Sequence, residues 1–213
     1  MDNVEKQTEA TDRILESAFI LFRQYGIRAI TMDEIANHMG MSKKTIYSHF
    51  ADKDEMVTNC IVRRIEDIQS YCIRFREEAK DAVEEIFLTM QFIEGLFRNM
   101  NPLILMDMQK FHPAAFKAYH EYMHKYVMEL IRKNLERGIE EGLYREDINL
   151  EIISRFRLEA SMLCFRIDIF PKDLFEMSQV QVELMQHFMY GIATPKGYRL
   201  IQAYKQKHFS NKK

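Results

Sequence analysis

Residues 39–50 read MGMSKKTIYSHF. Gly40 can stop a helix, and Ser42 two residues later can cap the next one. Within the segment Met39, Met41, Ile46 and Phe50 are apolar, while Lys43, Lys44, Thr45, Tyr47, Ser48 and His49 are polar. Just upstream, TMDE at residues 31–34 has the form of a capping box, in which Thr31 and Glu34 satisfy each other's backbone amides. The helix it opens is short because Gly40 stops it. Two short helices joined by a tight, Gly-containing turn are the outline of a helix-turn-helix. Its second helix enters the major groove while the first crosses the backbone.

The residue types suit that geometry. Ile35, Ala36, Met39, Ile46 and Phe50 can pack the two helices together and onto a preceding helix. Ser42 and Lys43 lie at a helix start, where the dipole favours a phosphate. Tyr47 and His49 can donate to phosphate oxygens. Lys44 and Thr45 have the chemistry for base edges, a lysine to guanine and a threonine methyl to thymine. The overall charge argues the other way. Residues 1–55 hold seven Lys/Arg against ten Asp/Glu, a net of −3, and the whole chain is at −2. The basic footprint of a nucleic-acid binder is confined to residues 43–53.

Outward from this segment, apolar residues recur at helical spacing. Ile14, Leu15, Ala18, Leu21, Phe22 and Tyr25 form one stripe, closed by Gly26. Asp52 and Glu55 give a further cap pattern, opening a long helix through Val57, Ile61, Ile65, Ile68, Cys72 and Phe75. Later stripes predict a helix from Val83 to near Asn101, a short segment to Phe111, a long helix from Phe116 to Gly142, and helices over 149–169 and 173–191. Only 7 Gly and 4 Pro occur in 213 residues, which suits long helices. The expected fold is all-α. An N-terminal unit of three short helices, residues 1–51, is a DNA-binding domain. A larger helical domain, residues 52–213, follows it.

The N-terminus is polar, with no apolar core of a signal peptide. No run of about 18 apolar residues suggests a membrane span. Cys60, Cys72 and Cys164 are unclustered, as expected of reduced thiols in a cytoplasmic protein. No cofactor is expected.

A rival reading lies in HEYMH, residues 120–124, which fits H-E-x-x-H. On a helix it would set His120 and His124 on one face, with Glu121 as general base of a zinc hydrolase. No recognisable third ligand follows and no strands support a cleft, so the expectation is a chain that is not an enzyme. A helical protein-interaction module is the second alternative; operator-like DNA binding distinguishes it. The Met and aromatic residues are open to two readings, plain core or a pliable cavity for a small, largely apolar ligand. Met90, Phe97, Phe111, Phe116, Tyr119, Tyr122, Met123 and Phe165 are the candidates.

The stretch RILESAFILFRQYGIRAITMDEIANHMGMSKKTIYSHFADKDEM, residues 13–56, resembles the TetR/AcrR family of bacterial transcription regulators. The shared pattern is an apolar first helix ending in Tyr25-Gly26, Thr31 to Ala36, the Gly40–Ser42 turn, Tyr47 to Phe50, and Lys53-Asp54. The resemblance implies a ligand-responsive regulator, usually a repressor, that binds a pseudo-palindromic operator on double-stranded DNA as a homodimer. It also implies that Thr31, Ser42, Lys43, Lys44, Thr45, Tyr47, His49 and Lys53 face DNA. The helices over 149–169 and 173–191 have wide apolar faces suited to a dimer interface, with Ile152 and Phe156 on one and Val180, Leu184, Met185 and Phe188 on the other.

Overall fold

The computed structural model describes the backbone of residues 2–209 and the side chains of residues 7–207. Among them the chain forms eleven α-helices. They are α1 (Asp2–Tyr25), α2 (Met32–His38), α3 (Lys43–Tyr47), α4 (Lys53–Glu78), α5 (Ala82–Phe97), α6 (Leu103–Phe111), α7 (Pro113–Glu121), α8 (Met128–Glu140), α9 (Leu150–Met162), α10 (Met177–Ile192) and α11 (Pro195–Phe209). A π-helical turn, Tyr122–Val127, joins α7 to α8, and a 3-10 turn, Leu163–Phe165, follows α9. The all-α expectation holds.

The helices group into two compact units. One comprises Met1–Asp67 and Asn99–Glu121, the other Ile68–Arg98 and Tyr122–Lys213. α4 starts in the first and ends in the second.

In the first unit, the α1 stripe of Ile14, Leu15, Ala18, Phe19, Leu21 and Phe22 is buried, along with Ile35, Ala36, Ile46, Phe50, Met56, Val57 and Cys60. Burial of the larger of these side chains stabilises by about 1.5–3 kcal/mol each relative to exposure. α1 ends as its sequence predicts. Gly26 takes φ +89 and donates its amide to the Phe22 carbonyl at 2.9 Å. The Arg64 guanidinium stacks 4.3 Å over the Phe19 ring and bonds Glu16, fastening α4 to α1.

The second unit has its own core. Val83, Phe87 and Met90 of α5 meet Leu135 of α8, Tyr144, and Met185, Phe188 and Met189 of α10. Fully buried Tyr144 donates to the Ala82 carbonyl (3.1 Å) and to Asn134 Oδ1 (3.3 Å). Burial, first, and nearby carboxylates push its phenol well above the usual range. Gly138 has no side chain because a Cβ there would overlap the Tyr144 ring.

Several boundaries differ from the sequence expectation. α1 is 24 residues long, so the N-terminal unit is not built of three short helices. α5 stops at Phe97 rather than near Asn101. The helix expected over 149–169 ends at Met162, and the one expected from Asp173 starts at Met177. Between them, Arg166 forks onto Asp168 two residues on (2.8 and 2.6 Å), and the Pro171 carbonyl collects the amides of Leu174 and Phe175. Side-chain and turn hydrogen bonds there replace the helical ladder. The expected long helix through Gly142 contains the π turn, which no residue type announced.

Candidate nucleic-acid interface

The helix-turn-helix has the predicted caps. The Thr31 hydroxyl accepts from the Glu34 amide (3.2 Å), while Glu34 Oε2 accepts from the Thr31 amide (2.6 Å) and hydroxyl (2.8 Å). Those bonds hold the Glu34 carboxyl below its ordinary pKa. α2 runs out at Gly40, φ +64, and Met41 donates back to the Ala36 carbonyl at 2.9 Å. Ser42 then caps α3, its Oγ accepting from the Thr45 amide at 3.1 Å and lying 2.9 Å from the Thr45 hydroxyl. Asp52 caps α4 through the Glu55 amide (2.8 Å), and Glu55 returns to the Ala51 amide (2.6 Å).

α3 is anchored by one face. Ile46 is fully buried and Phe50 nearly so. The other face carries Lys43, Lys44, Thr45, Tyr47 and Ser48, all exposed, with Tyr47 at 50%. Lys43 ion-pairs with Asp33 of α2. Lys44 and Tyr47 have no such attachment among the described residues. Ser48 Oγ donates to the Thr45 carbonyl at 2.7 Å, turned inward along the helix. His49 is half-buried, its Nδ1 2.8 Å from Thr11 Oγ1, which ties the end of α3 to α1. Lys53 is also half-buried and donates Nζ to the Ile27 carbonyl at 2.6 Å. Desolvation draws its pKa down, opposed by Asp107, Glu34 and Asp54. An ammonium has three donors, so two remain for a phosphate.

The expected DNA set therefore divides into two groups. Lys44, Thr45 and Tyr47 stand exposed on α3, Lys44 and Tyr47 without such attachment among the described residues and Thr45 with its hydroxyl against Ser42 Oγ. Thr31, Ser42, Lys43, His49 and Lys53 have intramolecular roles as caps, pairs or tethers, and for them a phosphate is an added partner.

A support that the sequence did not signal comes from α6 and the residues flanking it, in the same unit. Buried Asp107 accepts from the Arg28 amide at 2.9 Å. Asn101 donates its amide to the Arg23 carbonyl at 2.6 Å. The buried His112 ring sits 2.6 Å from Asp54 Oδ1, near the start of α4. The Arg28 guanidinium lies 5.3 Å over the Phe111 ring. The Asp54 and Arg28 hydrogen-bond pairs are 58 and 79 residues apart in sequence, so no local pattern could have marked them.

The proposed ligand residues fall in both units. Phe111, Phe116 and Tyr119 belong to the first; Met90, Phe97, Tyr122, Met123 and Phe165 belong to the second. In the second unit Phe97 meets Phe165 edge-on at 5.5 Å, and buried Tyr122 stacks on Tyr126 at 5.6 Å. Met90 is part of the core cluster. Of the dimer candidates, Ile152 (62%) and Phe156 (54%) are exposed and Leu184 is half-buried. Val180, Met185 and Phe188 are buried within the chain itself. Ile167, Ile169, Leu174 and Phe175 continue the exposed apolar series after α9. His120, Glu121 and His124 are exposed, and among the described residues no group of three or more His, Cys, Asp or Glu is placed to hold a metal ion. Burial raises the thiols of Cys60 and Cys164 to about 12 and that of Cys72 to about 11. No helix among the described residues is long and apolar enough to cross a membrane.

Residues 14–60, the segment just described, match the family model of bacterial regulatory proteins, tetR family. The HTH-type transcriptional repressor KstR2 of Mycobacterium tuberculosis is 26% identical over 177 residues, covering 78% of this chain and 85% of that one. The solved structure of the ketosteroid transcriptional regulator KstR2 of the same organism covers 87% of this chain and 95% of its own, with a TM-score of 0.60 at 21% identity. A TetR-family regulator from Agrobacterium tumefaciens superposes with a TM-score of 0.74 over 88% of this chain and all of its own, at 13% identity. The capped helix-turn-helix matches the tetR family model over residues 14–60, and the helical chain is similar along most of its length to such regulators; the protein is a DNA-binding transcriptional regulator.

Proposed function

We propose that the chain is a cytoplasmic, ligand-responsive repressor that binds a pseudo-palindromic operator as a homodimer. Residues 1–51 carry the DNA-binding function and residues 52–213 the ligand-binding and dimerisation functions. The observation that carries the reading is the outward face of α3. Lys44, Thr45 and Tyr47 stand exposed on a helix whose other side is anchored by Ile46 and Phe50. Lys44 and Thr45 read base edges. Ser42, Lys43, Tyr47, His49, Lys53 and Thr31 position the helix on the phosphates. The two copies meet through Ile152, Phe156 and Leu184, with Val180, Met185 and Phe188 packed behind as their support. An apolar ligand lies in the second unit, near Met90, Phe97, Tyr122, Met123 and Phe165.

α4 supports the coupling. It is one continuous helix from Lys53 to Glu78, so a rotation at its Cys72–Phe75 end is carried to Lys53, next to α3. Two recognition helices must reach half-sites roughly 34–36 Å apart, so a small pivot spoils both. A coupling of about 1–3 kcal/mol lowers operator affinity roughly 5- to 150-fold, and linkage demands the same factor in the ligand's affinity. The test is to titrate one candidate effector into free protein and into the protein–operator complex. Ligand affinity should fall on the complex by the factor that operator affinity falls with ligand. Equal ligand affinities in both titrations refute the regulatory reading for that effector.

A further inference from the structure

α9 carries two arginines with opposite surroundings. Arg155 is exposed and pairs with Glu151 one turn back at 2.5 Å. Glu151, Ile152, Phe156 and Glu159 share its exposed side. Arg157 sits on the other side. Its neighbours at helical spacing are Ile153, Ser154, Ala160, Ser161 and, in the following 3-10 turn, Cys164. Each is buried or half-buried. A cation therefore stands at the centre of the inward face of the helix.

Among the described residues Arg157 has no carboxylate partner. Its guanidinium lies 5.4 Å over the Phe188 ring, and its charged neighbourhood holds only the Cys164 thiol, which is protonated at neutral pH. Desolvation draws its pKa from 12.5 down to about 10, yet the side chain keeps part of its accessible surface. Two further polar atoms on α9 and α10 lack partners. Ser154 Oγ, one turn before Arg157, and Gln181 Oε1 of α10 are buried and unbonded. Buried cations and hydroxyls are normally paired, because an uncompensated one costs stability. A guanidinium fork is also the side chain best matched to two carboxylate oxygens.

We propose that Arg157 is the anion-binding residue of the ligand domain, taking the carboxylate of an amphiphilic organic acid whose apolar body lies against Phe188 and the inward face of α9. Ser154 Oγ donates a further bond to the same head group, and Gln181 Oε1 accepts from a hydroxyl or amide on the body. This deepens the ligand-binding reading given above and rests on it.

Decanoate is the probe and decanol its uncharged counterpart. Each is titrated by calorimetry into the intact protein and into R157K and R157M. Wild type should bind decanoate about tenfold or more tighter than decanol. R157M should bind the two alike, and R157K should retain part of the preference. A misfolded variant cannot imitate this pattern, because removing an unpaired, half-buried and largely desolvated charge should raise the melting temperature of R157M without ligand. Decanoate should then stabilise wild type but not R157M. The proposal is overturned if wild type does not prefer decanoate, if R157M keeps the preference, or if R157M melts lower than wild type. The two readings fail separately. Arg157-dependent decanoate binding that leaves operator affinity unchanged supports the anion site and refutes regulation by that ligand. Operator release by a neutral effector, with no Arg157-dependent decanoate binding, does the reverse.

Discussion

Asp33→Asn should tighten operator binding. In the free protein Lys43, at the start of α3, is paired with Asp33 of α2, and the two side chains are 64% and 46% exposed. An exposed pair of this kind is worth about 0.2–1 kcal/mol. DNA must compete with Asp33 for the ammonium, so removing the carboxylate should return that amount as affinity, about 1.4- to 5-fold. The variant also removes one repelling charge from a segment whose net charge is −3 over residues 1–55, seven Lys/Arg against ten Asp/Glu. Asp33 lies in the first turn of α2, where a carboxylate interacts favourably with the helix dipole, so the free protein should lose about 0.3–1 kcal/mol of stability. Thermal melts measure that loss separately. The assay is fluorescence anisotropy on a selected operator fragment across about 50–200 mM salt, because a phosphate contact shows in the slope by about 0.9 unit. Wild type, D33N, K43A and the double variant complete a cycle. D33N should gain affinity when Lys43 is present and much less when it is combined with K43A. Equal gains in both backgrounds, or no gain in either, would show that Lys43 is not what the operator takes from Asp33.

Lys44→Ala should flatten the sequence preference by about 1–3 kcal/mol at one position, while Tyr47→Phe should weaken all sequences about alike; competition with a randomised fragment pool separates them, and identical profiles would remove Lys44 from the base contacts. Phe156→Glu places a charge on an exposed aromatic of α9 and should give monomers in light scattering at micromolar concentration, where wild type is expected to be dimeric; an unchanged mass moves the interface elsewhere. Gly138→Ala should cost about 1–3 kcal/mol by overpacking against buried Tyr144, whereas Gly95→Ala, in α5 with open space around it, should gain about 0.5–1 kcal/mol. Urea unfolding compares them, and a neutral Gly138→Ala would mean that Tyr144 can move aside.

The N-terminal half of the interface was legible because its determinants are local. Thr31 with Glu34, Ser42 with Thr45, and Asp52 with Glu55 are partners three residues apart, and the structure contains each of those bonds. Gly26 takes the positive φ expected of it, and Gly40 stops α2 as expected, also with a positive φ. What the sequence could not disclose is set by distant partners. Lys53 reads as a free surface cation until its bond to the Ile27 carbonyl is seen. Asp107 and His112 read as ordinary residues of a short helix and its cap, although they hold Arg28 and Asp54. The end of α9 is hidden for a different reason. Residues 163–170 keep an apolar pattern and hold no Gly or Pro, so nothing local forbids a helix. The Arg166–Asp168 fork and the edge-on contact of Phe170 with Phe175 at 5.7 Å accompany the exit.

The π turn from Tyr122 to Val127 has a consequence for helical phase. An α-helix advances about 100° per residue, so one surplus residue in a wide turn rotates everything after it by about that angle. α7 takes its phase from buried Ala115, and α8 takes its own from Asn134, Leu135 and Gly138, which must meet Tyr144. The change of compact unit, from Glu121 to Tyr122, coincides with the start of the turn. The register of α8 in its own core is therefore set at and after the turn. A chain one residue shorter within Tyr122–Val127 would lose the wide turn and shift the phase between Tyr122 and Leu135 by about 100°.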